Sequence, residues 1–218
     1  MTYSRKDILT SISFLVFIFS FAIVFTLFFK PLYYFDINHL DLVEKTGYTL
    51  KQIKDNYQIL INYQSIFYQG ELVFKDFIMS TNGRIHFIEV KRIFEIIQII
   101  CLISTITTSI LITYQLKHHE YRFFKLTSKL TIIIPLIVLL LVLIDFEHIF
   151  ILFHKICFNN DYWIFNTYTD PIINILPEAF FMHAVILIIF VIMLFSLITK
   201  LIYNYYEKKV LKIIDYHK

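Results

Sequence analysis

The stretch ILTSISFLVFIFSFAIVFTLFF, residues 8–29, decides the fold. It carries no charge, its only polar groups are small hydroxyls, and it exceeds the about 20 helical residues that cross about 30 Å of hydrocarbon. Arg5 and Lys6 precede it as they would a signal peptide. The apolar run is too long for one, however, and no small-x-small cleavage site follows before Lys30 and Pro31, so it is expected to remain as an uncleaved anchor. Three further runs, 94–114, 130–150 and 180–203, are long and apolar enough to span. Asp145, Glu147 and His148 interrupt the third, so its outer end is expected to rise into the interface. The sequence thus predicts an all-α membrane protein, a bundle of four transmembrane helices forming one integral membrane domain over residues 1–218.

Composition agrees. Of 218 residues 58% are hydrophobic and only 17% charged, which is more apolar side chain than a soluble domain of this size needs for one core. Three glycines and four prolines leave no Gly-rich phosphate cradle, which excludes dinucleotide and P-loop chemistry. The net charge of +3 is spread along the chain and not gathered into a basic stripe, so nucleic acid is not an expected partner. Cys101 lies within an apolar run and Cys157 in a polar stretch, an arrangement unsuited to a structural disulfide.

The basic residues orient the chain. Arg5 and Lys6 precede the first run, Lys117, Arg122, Lys125 and Lys129 join the second and third, and Lys200, Lys208, Lys209, Lys212 and Lys218 follow the fourth. Only Lys155 is basic between the third and fourth runs. The positive-inside rule predicts cytoplasmic N- and C-termini and an outer cap built from residues 30–92 and 151–179. Leu50, Ile53, Tyr57, Leu60 and Ile61 recur at helical spacing and predict an amphipathic helix over 49–67 in that cap. Residues 71–74 and 85–87 flank Asn82-Gly83, a pattern that suggests a short β-hairpin.

This topology places His39, His86, His148, His154 and His183 at or near the outer face, with His118, His119 and His217 on the cytoplasmic side. Imidazole both accepts and donates protons near neutrality, so acid/base chemistry would belong at the outer face. Two stretches concentrate the unusual residue types. One runs from Arg84 through His86 and Glu89 to Lys91; the other runs from Phe153 through His154, Cys157, Asn160 and Trp163 to Asp170 and Glu178. A zinc site from His148, His154 and Glu147 lacks the spacing that sets two ligands on one helix face, so neither metal nor any other cofactor is expected. A Cys157–His154 nucleophile pair is conceivable by spacing, but a small apolar role suits Cys157 better. Taken singly, each residue also has a plain structural reading: an interfacial histidine as a wet amphipathic side chain, Trp163 as a belt anchor, Asp170-Pro171 as a turn.

At these stretches the sequence resembles the bacterial membrane-protein family that includes the lipoprotein intramolecular transacylases of Gram-positive bacteria. The residues that carry the resemblance are His86-Phe87-Ile88-Glu89-Val90-Lys91, Phe153-His154 through Asn160, Trp163, Thr169-Asp170-Pro171-Ile172-Ile173 and Leu176-Pro177-Glu178-Ala179-Phe180-Phe181. The number and spacing of the apolar runs match as well. Glu89 stands where the family often has Asp, and Cys157 where an aromatic is common.

The resemblance implies an acyltransferase of the cell membrane. An acyl chain would move from the sn-2 ester of a diacylglyceryl-modified lipoprotein to the α-amine of its N-terminal cysteine, giving the lyso-form. Such an enzyme would meet that N-terminus and membrane lipid at headgroup depth. His86 and His154 are the expected general acid/base pair, with Arg84, Lys91 and Trp163 as candidate oxyanion donors and Glu89, Asp170 and Glu178 as candidate supports for an imidazole. A non-enzymatic receptor or scaffold, its cap binding a partner, is the alternative; convergence of His86 and His154 would separate the two. A transporter is disfavoured because the helix cores contain almost no ionisable groups or Gly-Pro breaks that would line a path.

Overall fold

The structure, a computed structural model, describes residues 3–216, with side chains described through residue 209. His217 and Lys218 lie outside the described residues, as does the side chain of Lys212. The elements in order are α1 (Arg5–Phe28), α2 (Lys30–His39), α3 (Leu42–Thr46), α4 (Leu50–Tyr63), α5 (Thr81–Lys117), α6 (Arg122–Ile144), α7 (Phe146–Cys157), a 3-10 turn (Pro171–Ile175) and α8 (Glu178–Tyr216). Among the described residues there is no strand. Four helices, α1, α5, α6 and α8, are long and apolar enough to cross a membrane.

The chain forms two compact units. The first comprises residues up to 23, 99–140 and 188 onward. Lipid supplies little hydrophobic drive between its helices, so association rests on close packing and hydroxyl hydrogen bonds. Ser11 donates to the Phe123 carbonyl at 3.1 Å, Ser196 to the Ser128 carbonyl at 2.8 Å, and Ser13 and Thr108 share a bond of 2.8 Å. The Phe195 ring meets Phe17 and Phe21 edge-on.

The second unit comprises residues 24–98 and 141–187. Its core joins α2, α3, α4, the 3-10 turn and the loop before α5 around Tyr33, Ile37, Ile53, Tyr57, Ile172 and Ile175. Tyr33 stacks on Tyr57 with ring centroids 3.6 Å apart and donates its hydroxyl to the Ile175 carbonyl at 2.7 Å. The amphipathic helix spans 50–63 and opens with a reciprocal Thr49–Gln52 capping box. Of its expected apolar stripe Leu50 is exposed, whereas Ile53, Tyr57, Leu60 and Ile61 are buried. Fully buried Asn56 pins the following loop, accepting the N–H groups of Lys75 and Asp76 and donating to the Asp76 carboxylate.

Two local expectations change. The β-hairpin does not form: residues 71–74 run as loop, and Asn82, Gly83 and residues 85–87 belong to the first turns of α5. Ser80 accounts for this, since its hydroxyl accepts the Gly83 N–H at 3.0 Å and caps the helix thirteen residues before the apolar run begins, counting from 81 to 94. The third span occupies 122–144 instead of 130–150. At Asp145 the backbone leaves helical geometry and the carboxylate caps α7, accepting the His148 N–H at 3.1 Å. The polar interruption therefore starts a second, amphipathic helix.

Candidate active site

Both histidines singled out above lie in the second unit, and they meet. His86 sits in the second turn of α5 and His154 near the end of α7, with ring centroids 6.0 Å apart and planes inclined at 33°. Both are buried, at 5% and 9% exposure. Phe158 lies against both rings, at 4.7 Å from His86 and 5.7 Å from His154. Phe165 meets the edge of His86, and the Trp163 indole lies 4.8 Å from His154. The imidazoles thus share an aromatic wall that excludes water and disfavours the imidazolium form.

The tautomer of His154 follows from its partner. Its Nδ1 lies 2.7 Å from the Phe150 carbonyl oxygen, which can only accept, so Nδ1 carries the proton and Nε2 presents a lone pair. Burial pushes the His154 pKa below its ordinary value, and the bond to Phe150 opposes this only in part. His154 is therefore neutral at pH 7. The Nδ1 of His86 is buried with no hydrogen-bond partner among the described residues, and so are Nε1 of Trp163 and Oε2 of Glu89. Buried polar groups are normally paired, so these three unpartnered atoms are candidates to meet polar atoms of a ligand.

The remaining candidates divide. Glu89 lies one helical turn after His86 and accepts a 2.9 Å bond from the Asn160 amide. It contacts neither imidazole through a hydrogen bond, and the Phe150 carbonyl takes the orienting part expected of a carboxylate. The Lys91 ammonium is engaged away from the imidazoles: it binds the carbonyls of Tyr63, Ser65 and Tyr68 at 2.6–3.2 Å and pairs with Glu95 at 3.2 Å. Arg84 is exposed and pairs with Glu71 at 2.7 Å. Asp170 accepts the Ser80 N–H and the Thr169 hydroxyl, both at 2.8 Å, and so serves the start of α5. Glu178 is exposed in the first turn of α8. Cys157 is free and exposed, and Cys101 is free.

Sequence reasoning gave no role in the site to Phe150, Phe158, Phe165 or Asn160. Phe158 and Asn160 lie within the stretch that carries the family resemblance, whereas Phe150 and Phe165 had only their nearness to His154 along the chain. It also passed over a second pair, in which His183 of α8 bonds the fully buried Asp36 of α2 at 2.8 Å. Among the described residues no three His, Cys, Asp or Glu side chains converge to hold a metal ion.

Comparison with known proteins adds an independent finding. The family model described as Lipoprotein intramolecular transacylase Lit matches residues 8–181. The solved in meso structure of the membrane integral lipoprotein intramolecular transacylase Lit from Bacillus cereus is 40% identical, with a TM-score of 0.93, covering 95% of this chain and 96% of that one. Two forms of the same protein, each with one histidine replaced, by arginine or by alanine, superpose with TM-scores of 0.85 and 0.86 at the same 40% identity. They cover 95% of this chain and 92% and 94% of theirs. No curated protein sequence matches.

Proposed function

This chain belongs to the lipoprotein intramolecular transacylase family, a family of membrane acyltransferases, and on that premise we propose that it moves the sn-2 acyl chain of a diacylglyceryl lipoprotein to the α-amine of the N-terminal cysteine. The observation that carries the reading is the meeting of His86 and His154, 68 positions apart (154 − 86), as buried imidazoles within one aromatic cluster. A receptor or scaffold has no use for such a pair beside open hydrogen-bond valences.

The proton balance calls for two bases. An α-ammonium must shed two protons to become an amide; one ends on the departing glyceryl oxygen and the other in the medium. In the proposed path His86 takes the first proton and frees the amine, which attacks the ester carbonyl. His154 takes the second through Nε2 as the C–N bond forms. His86 then returns its proton to the sn-2 oxygen as the C–O bond breaks, leaving N-acyl, monoacylglyceryl product. The Trp163 N–H is the proposed donor to the oxyanion. Because amine and ester belong to one molecule, a near-attack geometry supplies about 7–11 kcal/mol at best, without an acyl-enzyme. We place this pocket at the outer face of the cell membrane with both termini cytoplasmic, on the distribution of basic residues and the outer-leaflet location of such substrates.

The pH profile follows. The path begins with a bound ammonium and neutral imidazoles, so kcat/KM requires the substrate amine, with a pKa near 8, to be protonated and His154 to be unprotonated, and burial holds the His154 pKa below its ordinary value of about 6.5. A plot of log kcat/KM should therefore be level across neutral pH, fall above about pH 8 as the ammonium is lost, and show its acid-side inflection below about 6.5. An inflection at that ordinary value would mean that His154 titrates as an exposed imidazole.

The reading itself is tested by expression in a host that makes only diacyl lipoproteins, with mass spectrometry of a reporter's N-terminal lipopeptide. The expected product carries an N-acyl group and one glyceryl ester. A reporter with a free amine and both esters, in membranes containing the protein, contradicts it.

A further inference from the structure

We propose that Glu89, oriented by Asn160, is the receptor for the substrate's α-ammonium and makes the enzyme selective for a free N-terminus over an N-acylated one; the proposal rests on the acyl-transfer reading above. Glu89 is one turn beyond His86 on α5. Its Oε1 accepts the Asn160 amide at 2.9 Å, and Asn160 is itself oriented, since its Oδ1 accepts the Tyr162 N–H at 3.0 Å. Its Oε2 is buried with no donor.

A carboxylate oxygen removed from water is costly unless a donor, best a cation, meets it. Of the basic side chains adjoining it on α5, Lys91 is held by three carbonyls and Glu95, Arg84 pairs with Glu71, and Arg92 is exposed to solvent. The segment 158–163 ties this oxygen to the reaction centre: Phe158 lies on His86, Asn160 binds Glu89 and Trp163 lies on His154. The open atoms are complementary to the two reacting groups. The indole N–H suits the ester oxygen, and the carboxylate suits an ammonium, which brings three donors.

This pairing serves recognition and not nucleophilicity, because it favours the protonated amine; deprotonation falls to the imidazoles. After acyl transfer the nitrogen is a neutral amide with one N–H, so the carboxylate loses its cation and the product is released in preference to the substrate.

Trp163 is the only tryptophan in the chain, so its fluorescence reports on this pocket alone. Two dialkylglyceryl-cysteinyl peptides, ether-linked so that no acyl group can move, would be titrated into the purified protein, one with a free α-amine and one N-acetylated. The wild type should bind the free amine about tenfold more tightly. Glu89→Gln, which keeps an acceptor for Asn160, should bring the ratio close to one while leaving affinity for the N-acetyl ligand unchanged; Glu89→Asp should keep most of the preference. Equal affinity of the wild type for both ligands, or an unchanged ratio in Glu89→Gln, overturns the proposal. Should Glu89→Gln bind neither ligand, Glu89→Asp decides, a retained preference supporting the proposal and a lost one overturning it. Failure of the wild type to convert the ester-linked, free-amine lipopeptide would instead overturn the acyl-transfer reading, and mass spectrometry of that ligand separates the two failures.

Discussion

Replacing either His86 or His154 with alanine is expected to lower the transacylation rate by about 10²–10⁴-fold, the usual worth of a positioned acid/base group. The two changes should not add. In the proposed path each imidazole takes up one of the two protons the ammonium loses, so removing either stalls the same passage, and the double variant should be little slower than the worse single one. The loss should appear in kcat. The proposed path gives neither imidazole a part in holding the lipid chains, and Glu89, the proposed ammonium receptor, is untouched by both substitutions. A single variant that keeps full activity in membranes, with an unfolding temperature like that of the wild type, would remove the acid/base assignment. His154→Ala also frees the Phe150 carbonyl and exposes the face of Trp163, so its fluorescence should change even without ligand.

Gly83→Ala is the second large effect expected, and it concerns the scaffold. A Cβ on Gly83 would lie 2.2 Å from Oδ1 of Asp170, 3.0 Å from its Cγ and 3.2 Å from a ring carbon of Phe165. Asp170 cannot swing aside cheaply, because its carboxylate holds the Ser80 N–H and the Thr169 hydroxyl. Phe165 cannot either, since it stacks on Phe87 and meets the edge of His86. Overpacking of this kind costs about 1–3 kcal/mol, more than the about 1 kcal/mol that alanine gains over glycine in a helix. Thermal unfolding in detergent should show the loss, and activity should fall as well, because the displaced ring is the one beside His86. In an Asp170→Ala background the Gly83→Ala change should cost less, as the oxygen it strikes is gone. A Gly83→Ala protein as stable as the wild type would mean that the start of α5 is looser than this packing requires.

The same glycine shows where sequence reading stopped. Asn82-Gly83 between short apolar runs resembles a hairpin turn, yet Gly83 is needed for a close approach of Asp170, which is 87 positions away (170 − 83) and leaves no local trace. The four membrane helices were legible because lipid demands long uncharged runs, and the break at Asp145 was legible because charged groups cannot remain at hydrocarbon depth. Helix extensions beyond the apolar runs, such as 81–93 of α5, were not, since there the helix is set by Ser80 and by packing in place of hydropathy.

The site divides in the same manner. His86 and His154 were identifiable from residue type, expected position and family resemblance. The parts played by Lys91 and Asp170 were not, because each is decided by backbone groups on distant segments: three loop carbonyls for Lys91, the Ser80 N–H for Asp170. A basic or acidic side chain beside a suspected active site reads as chemistry until its partners are seen. Glu89 took the opposite course. Expected to steady an imidazole, it bonds Asn160 and leaves one oxygen open, and that opening gives it a reason to face substrate.

The most direct test of acyl transfer within one molecule is a mixing experiment with purified protein and two diacylglyceryl lipopeptides, one with an isotopically heavy sn-2 chain on a light peptide, the other with a light chain on a heavy peptide. Mass spectrometry should find N-acyl products only in the parental combinations, heavy chain on light peptide and light chain on heavy peptide. Crossed combinations, or lipopeptides whose amines remain free, would contradict it.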